Sequence, residues 1–264
     1  MRVFISEALL WLAVSVIAAP LSLHAGTIIV SGDSNIADII NVHNSFTNSY
    51  DNDAFFTDIL GLGHDVLIQS QDASANVEAS HIADYYNSLT SVTASVTNAA
   101  SVSSLTGVDL FIGVIPTAPY TAGELAAMNA LLSSGGTVFL IGENQDYTVN
   151  SLPYINSALS YLGSPMALVP ALDDAGVHNA SGAHVAANAM TQGVSHFWYA
   201  YTSEVSGGTP LLYTDSLAPF VSMSYTPNGP IITNSIVPEP GTVGLILAGL
   251  AAVAWRIRSR RRKV

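Results

Sequence analysis

Every lysine and arginine of this chain lies at position 2 or beyond residue 255: Arg2, then Arg256, Arg258, Arg260, Arg261, Arg262 and Lys263. All but Glu7 and Glu239 of the nineteen acidic residues fall between Gly26 and Ile236, where there is no basic residue. The whole-chain charge of −12 therefore conceals a body near −17 with its histidines neutral. Such a surface repels nucleic acid and anionic headgroups, which excludes both as partners of the body. It also lacks the Arg and Lys that usually clamp phosphate, although helix N-termini can still do so. Divalent cations and neutral glycans are the compatible partners. With no cysteine there is no disulfide, no thiolate nucleophile and no Cys-based metal site, so stability must come from the core. A body of this length suffices for one domain with a substantial core.

The two ends read as topology signals. Arg2 precedes an apolar stretch from Ala8 to Ala19, and Leu23-His24-Ala25 ends on a small residue before Gly26. This is the pattern of a secretory signal peptide over residues 1–25. At the other end, Pro238-Glu239-Pro240 is followed by an uncharged run from Gly241 to Trp255 and then by the basic tail. Those fifteen residues make roughly 22 Å of helix, short of a ~30 Å hydrocarbon core. Trp255 suits the membrane interface, and Arg256 and Arg258 can extend their stems so that the charges reach water. Local bilayer thinning accommodates the remainder. The six terminal basic residues place the C-terminus in the cytoplasm and the body outside.

Proline triplet, short transmembrane helix and Arg-rich terminus together resemble the PEP-CTERM sorting signal of Gram-negative bacteria that make exopolysaccharide. The resemblance covers residues 237–264 and implies an exosortase partner, a membrane transpeptidase that recognises Pro238-Glu239-Pro240 and removes the tail. Two prolines remove backbone donors and favour an extended conformation that such an enzyme could grip.

Within the body, residues 26–236, the first elements alternate strand and helix. Thr27–Val30 is a short buried strand, and the turn Ser31-Gly32-Asp33-Ser34-Asn35 follows it. A helical stretch with Phe55, Phe56, Ile59 and Leu60 stops at Gly61-Leu62-Gly63. A strand at His64–Gln69 precedes a helix over about 76–89, with Ile82, Tyr85, Tyr86 and Leu89 at helical spacing. Thr90–Ser104 is low in complexity and reads as a connection. Val108–Ile115 is a strand buried on both faces; Thr121 and Glu124 form a capping box before a helix carrying Leu125, Met128, Leu131 and Leu132. Gly135-Gly136 ends that helix and Thr137–Ile141 is the next strand, completing a βαβ unit with a parallel sheet. A helix at 153–162 and a strand near 166–169 come next. After Thr191 the pattern turns β-rich, with strands at 196–201, 210–214, 220–225 and 230–234, the last two reading as a hairpin about Pro227-Asn228-Gly229.

The expected fold is α/β: a mostly parallel, flavodoxin-like or Rossmann-type sheet with helices on both faces, a β-rich C-terminal part and a C-terminal transmembrane helix. Gly61-Leu62-Gly63-His64-Asp65-Val66, the capping-box unit ending in Gly135-Gly136-Thr137-Val138, and Thr191-Gln192-Gly193-Val194 give the body a resemblance to the class I glutamine amidotransferase-like superfold, in particular to ThuA-like domains. That family's chemistry needs a Cys at a strand-to-helix elbow. Ile141-Gly142-Glu143-Asn144 stands there instead, so glutaminase activity is excluded.

Three candidate chemistries remain. Gly32-Asp33-Ser34 after the first strand, Gly142-Glu143-Asn144 downstream, and Asp174 with His178 are similar to SGNH-type esterases. That resemblance implies Ser34 as nucleophile, Asn144 as oxyanion donor and Asp174–His178 as the base pair. Gln145 stands where that family has Asp, and the Asp174–His178 spacing is one residue wide. The second candidate is a crevice at the carboxyl ends of the strands, where Asp33, Asn35, Glu143 and Asn144 would meet and bind a small polar ligand or a sugar. Turn formation alone would also explain those residue types. The third is a metal site, and it is the weakest. Asp51, Asn52, Asp53 and Asp58 lack the Gly and Glu of a calcium loop. His43, His64, His81, His178, His184 and His196 never fall at HxxxH or HxH spacing, so no zinc site and no cofactor is assigned. Phe197, Trp198, Tyr199 and Tyr201 read as core and edge packing, with an exposed pair able to stack on a sugar.

The sequence thus points to an exported protein, anchored in the inner membrane facing the periplasm and passed by exosortase to the cell surface or exopolysaccharide matrix. Its body is expected to be non-catalytic, with the esterase as the alternative. Trypsin should find no site between Gly26 and Ile236; tryptic fragments ending inside that span in a digest of the purified protein would contradict the charge partition.

Overall fold

Short segments that are apolar at every position need neighbours on both edges and both faces. The computed structural model, which describes residues 26–38, 50–71, 75–99, 101–144 and 151–226, provides them. Strands β1 (Thr27–Ser31) and β4 (Leu110–Val114) are buried at every position, and β5 (Thr137–Ile141) at all but its first. With β2 (Asp65–Ser70), β3 (Thr93–Thr97), β10 (Thr209–Tyr213) and β11 (Pro219–Tyr225) they form a seven-stranded sheet in the order β3-β2-β4-β5-β1-β11-β10. The five strands from β3 to β1 run parallel, whereas β11 is antiparallel to β1 and β10 to β11. Two side pairs complete the chain: β6 (Ala167–Leu172) with β9 (Ser203–Ser206), and β7 (Val177–Ser181) with β8 (His196–Ala200).

Side chains alternate across a strand, so the sheet has two apolar faces. On one, Ile29, Ile68, Ile112 and Phe139 pack against Phe55 and Phe56 of α1 (Asn52–Leu60) and Ile82 and Tyr86 of α2 (Asn76–Ser88). On the other, Ile28, Val30, Phe111, Val138 and Leu140 meet Met128 and Leu131 of α3 (Ala122–Ser133) and Ile155 and Leu159 of α4 (Ser151–Tyr161). Burying each of these side chains contributes about 1.5–3 kcal/mol. Phe55 sits edge-on to Phe56, Phe139 and Phe197, which locks α1 to the sheet. The capping box is formed as expected. Thr121 N donates to Glu124 Oε2 at 2.7 Å and Glu124 N to Thr121 Oγ1 at 3.3 Å.

Three expectations change. A flavodoxin-like order would set β1 beside β2; here β1 lies between β5 and β11. The reason is burial, because a strand covered on both faces needs a partner on each edge and β11 supplies the second. Residues 93–97 are a strand rather than a connection, pairing Val66 with Ala94 and Ile68 with Val96. Phe220–Tyr225 finds its partners in β10 and β1. The expected strand at 230–234, the signal peptide, the transmembrane segment with Pro238-Glu239-Pro240, His43 and Gln145 lie outside the described residues. Among the described residues no helix is long and apolar enough to cross a membrane.

Strand β3 is an exposed edge without charge or proline, which ordinarily invites pairing with another chain. Asn87, at the end of α2, covers part of it. Its Oδ1 accepts from Ala94 N at 2.8 Å and its Nδ2 donates to Ala94 O at 3.0 Å, as a neighbouring strand would. Asn87→Ala should cost about 1 kcal/mol in chemical denaturation and raise self-association in sedimentation velocity. An unchanged sedimentation profile would remove the edge-capping role.

Candidate functional site

The chain leaves β1 towards α1 on one face and β5 towards α4 on the other. Their adjacent carboxyl ends therefore form a topological switch point, where open α/β sheets commonly place a crevice. Asp33, Ser34 and Asn35 follow β1, and Glu143 and Asn144 follow β5; all five meet there. They fill the switch point themselves.

Glu143 Oε2 accepts from Ser34 Oγ at 2.7 Å, Ser34 N at 3.2 Å and Asn35 Nδ2 at 3.1 Å. Its Oε1 accepts from Asn144 N at 2.8 Å and Asn144 Nδ2 at 2.6 Å. Asp33 Oδ1 accepts from Asn35 N at 2.7 Å and Asn35 Nδ2 at 2.9 Å, and its Oδ2 from Ala200 N at 2.8 Å. Asn35 Nδ2 also reaches Ala200 O, and Asn144 Nδ2 reaches Tyr201 O. Three distant segments are thereby knotted together. The approach is close enough that a Cβ on Gly32 would collide with the backbone of Ser203, so only glycine fits there. Tyr201 is held at a positive φ of 51°, a strained conformation for a tyrosine, with its carbonyl aimed at Asn144.

Both carboxylates are buried, Asp33 completely. Burial and then the nearby Glu143 push Asp33 well above the usual carboxylate range, against the pull of the Ala200 and Asn35 donors. Burial likewise raises Glu143, against donors from Asn144 and Ser34.

A second cluster lies beyond β11. His178 Nδ1 faces Asp215 Oδ2 at 2.8 Å and its Nε2 faces Ala175 O at 3.3 Å. The Tyr199 hydroxyl donates to Asp174 Oδ2 at 2.6 Å, and the same oxygen accepts from Asp215 N at 2.8 Å. The His178 ring stacks on Tyr199, which stacks on Phe220. Burial lowers the His178 pKa, but Asp215 and the Ala175 carbonyl raise it more, and the net shift is upward. Asp174 and His178 lie in one cluster, but the carboxylate against the His178 ring is that of Asp215 rather than Asp174. Asp215 and Tyr199 complete a group that spacing alone did not reveal, because Asp215 sits in a turn between two strands with no motif around it.

The esterase constellation is not assembled. Ser34 Oγ is bound to Glu143, both His178 nitrogens have other partners, and the two side chains share no hydrogen bond. Asn144 spends its amide hydrogens on Glu143 and Tyr201 rather than presenting them as an oxyanion donor. The acidic run at 51–58 is structural too. Asp51 accepts from Ser195 N and His196 N, Asn52 bridges Ile36 and Trp198, and Asp58 accepts from Gly193 N. Phe197 and Tyr199 are fully buried and Trp198 nearly so; Tyr201 is the exposed aromatic of the four.

One comparison with known proteins bears on function: residues 237–262 match the PEP-CTERM protein-sorting motif. The tail is similar to a PEP-CTERM sorting signal. The motif supports an exported, envelope-associated protein that exosortase sorts, and it leaves the body uncharacterised. Comparison with curated proteins and with solved structures gave no match.

Because the folded-state pKa values of Asp33 and Glu143 lie above those of the unfolded chain, the folded protein binds protons more tightly. Their contribution to stability is full below the ordinary carboxylate range and is lost as pH rises through the folded-state values. The melting temperature should therefore fall as pH rises from the ordinary carboxylate range through those raised values. Glu143→Gln should lower stability but flatten that profile. A Glu143→Gln profile as steep as wild type would place the pH dependence elsewhere.

Proposed function

We propose that residues 1–25 are a cleaved signal peptide, residues 26–236 an extracytoplasmic body, and residues 237–264 a sorting tail with a short transmembrane helix. The protein is first anchored in the inner membrane facing the periplasm. Exosortase then acts at Pro238-Glu239-Pro240 and passes the body to the cell surface or exopolysaccharide matrix. The sorting motif and the confinement of all cations after Arg2 to the tail support this route.

The body is a non-catalytic module in this reading. The observation that carries it is the engagement of Ser34 Oγ by Glu143 at 2.7 Å, inside a buried knot in which every side chain already has a partner. A nucleophile needs a base within hydrogen-bond reach, and Glu143 is occupied as a cross-link between loops. The remaining option for the switch point, a small ligand or glycan held near Asp33 and Glu143, would require displacing those internal bonds.

Ester hydrolysis separates the alternatives. Wild-type protein and Ser34→Ala should give equal rates on p-nitrophenyl acetate, with Ser34→Ala losing about 1–3 kcal/mol of stability through the lost hydroxyl bond to the Glu143 carboxylate. A rate that collapses in Ser34→Ala would establish the hydrolase. Mass spectrometry of the protein recovered from the cell surface should show a C-terminus near Pro238-Glu239-Pro240. Recovery of intact chains ending in Val264 would overturn the sorting step.

A further inference from the structure

The cluster beyond β11 gathers donors of a kind that hold a metal. Asp174 from the β6–β7 turn, His178 from β7 and Asp215 from the β10–β11 turn each offer one ligand atom, all within 4.8 Å of one another. Ligand bonds of about 2.0–2.2 Å to one zinc-type ion place its donors ~3–4 Å apart. The donors lie near that spacing, with the Nδ1–Oδ2 pair at 2.8 Å having to open to admit an ion.

The imidazole gives an independent reason to expect a cation. A carbonyl and a carboxylate both only accept, so Nε2 against Ala175 O at 3.3 Å and Nδ1 against Asp215 Oδ2 at 2.8 Å each call for a proton on the ring. A neutral imidazole carries one proton, so one of the two contacts then sets lone pair against lone pair. Two lone pairs so placed repel unless a positive charge lies between them or the ring carries a second proton. No Lys or Arg is available, because none occurs between Arg2 and Arg256.

The surroundings are those of a preorganised site. Tyr199 OH and Asp215 N fix Asp174 Oδ2, while stacking on Tyr199 and the Ala175 contact set the plane of the His178 ring. We propose that Asp174, His178 and Asp215 bind one divalent transition-metal ion of the zinc class, cross-linking the β6–β7 and β10–β11 turns. One imidazole nitrogen with two carboxylate oxygens suits zinc-type ions, whereas calcium prefers six to eight oxygens. His178 and Asp215 keep 23% and 59% of their side-chain surface exposed, which leaves the outer position to water. The ion supplies a coordinate cross-link in a body that has no cysteine for a disulfide.

Isothermal titration of the metal-free full-length protein in detergent with zinc chloride tests this. A saturable one-site isotherm is expected, weakened at least tenfold by Asp174→Asn, His178→Ala or the more conservative His178→Gln. Asp84→Asn, an exposed control on α2, should bind as wild type. X-ray absorption at the zinc edge should report one nitrogen among oxygen neighbours at about 2.0–2.1 Å, and zinc should raise the melting temperature of wild type but not of His178→Ala. Absence of saturable binding would leave an imidazolium–carboxylate pair and overturn the proposal. Wild-type affinity in His178→Ala, a spectrum with two or more imidazoles, or calcium binding as tightly as zinc would overturn it equally.

Discussion

Two carboxylates buried side by side without any cation are the constraint around which this body is organised. Removing an isolated carboxylate from water is so costly that the group normally protonates or finds a countercharge. Asp33 and Glu143 have no Lys or Arg to call on. Their compensation is a shell of N–H and O–H donors from Ser34, Asn35, Asn144 and Ala200. The donors come from three separate parts of the fold, so the shell exists only when the ends of β1, β5 and β8 are all in place. The cost of burial is thereby converted into specificity: a misplaced strand would leave a carboxylate unsatisfied.

The parts of this arrangement that could be read from the sequence are those decided by local pattern. Thr27–Ser31, Leu110–Val114 and Thr137–Ile141 are apolar at nearly every position, and that alone marks them as central strands. Thr121 and Glu124 specify their helix start within four residues. The loops after β1 and β5 were expected to converge because both follow central parallel strands, and they do. Their sealing could not be foreseen, since the carbonyl of Ala200 that closes on Asn35 lies 165 residues away. The order of the sheet was hidden for the same reason, with β11 reaching β1 from the far end of the body. Strand β3 was hidden differently: Thr93-Ala94-Ser95-Val96-Thr97 alternates polar and apolar residues, but its apolar members are only Ala and Val, set in a low-complexity stretch of similar small residues.

Histidine takes on an unusual weight in a body with no lysine or arginine, being the one side chain able to become cationic. Among the described residues His178 has its ring in hydrogen-bond contact with a carboxylate, that of Asp215, and Asp174 is joined through Tyr199. Whether the positive charge there is a proton or a metal ion, it ties the turn before β7 to the turn before β11, beside the strand that completes the sheet.

The same sheet also fixes where the described residues begin and end. Thr226 N donates to Gly26 O at 3.0 Å, so the described body begins and ends on one hydrogen-bonded corner, at the amino end of β1. The knot at Asp33 and Glu143 and the turn carrying Asp215 lie at the opposite end, beyond Ser31 and its partner Val221. The first strand is therefore fixed at both ends, by this backbone bond at its amino end and by the shell of side-chain donors at its carboxyl end, with β5 and β11 paired along its length between them.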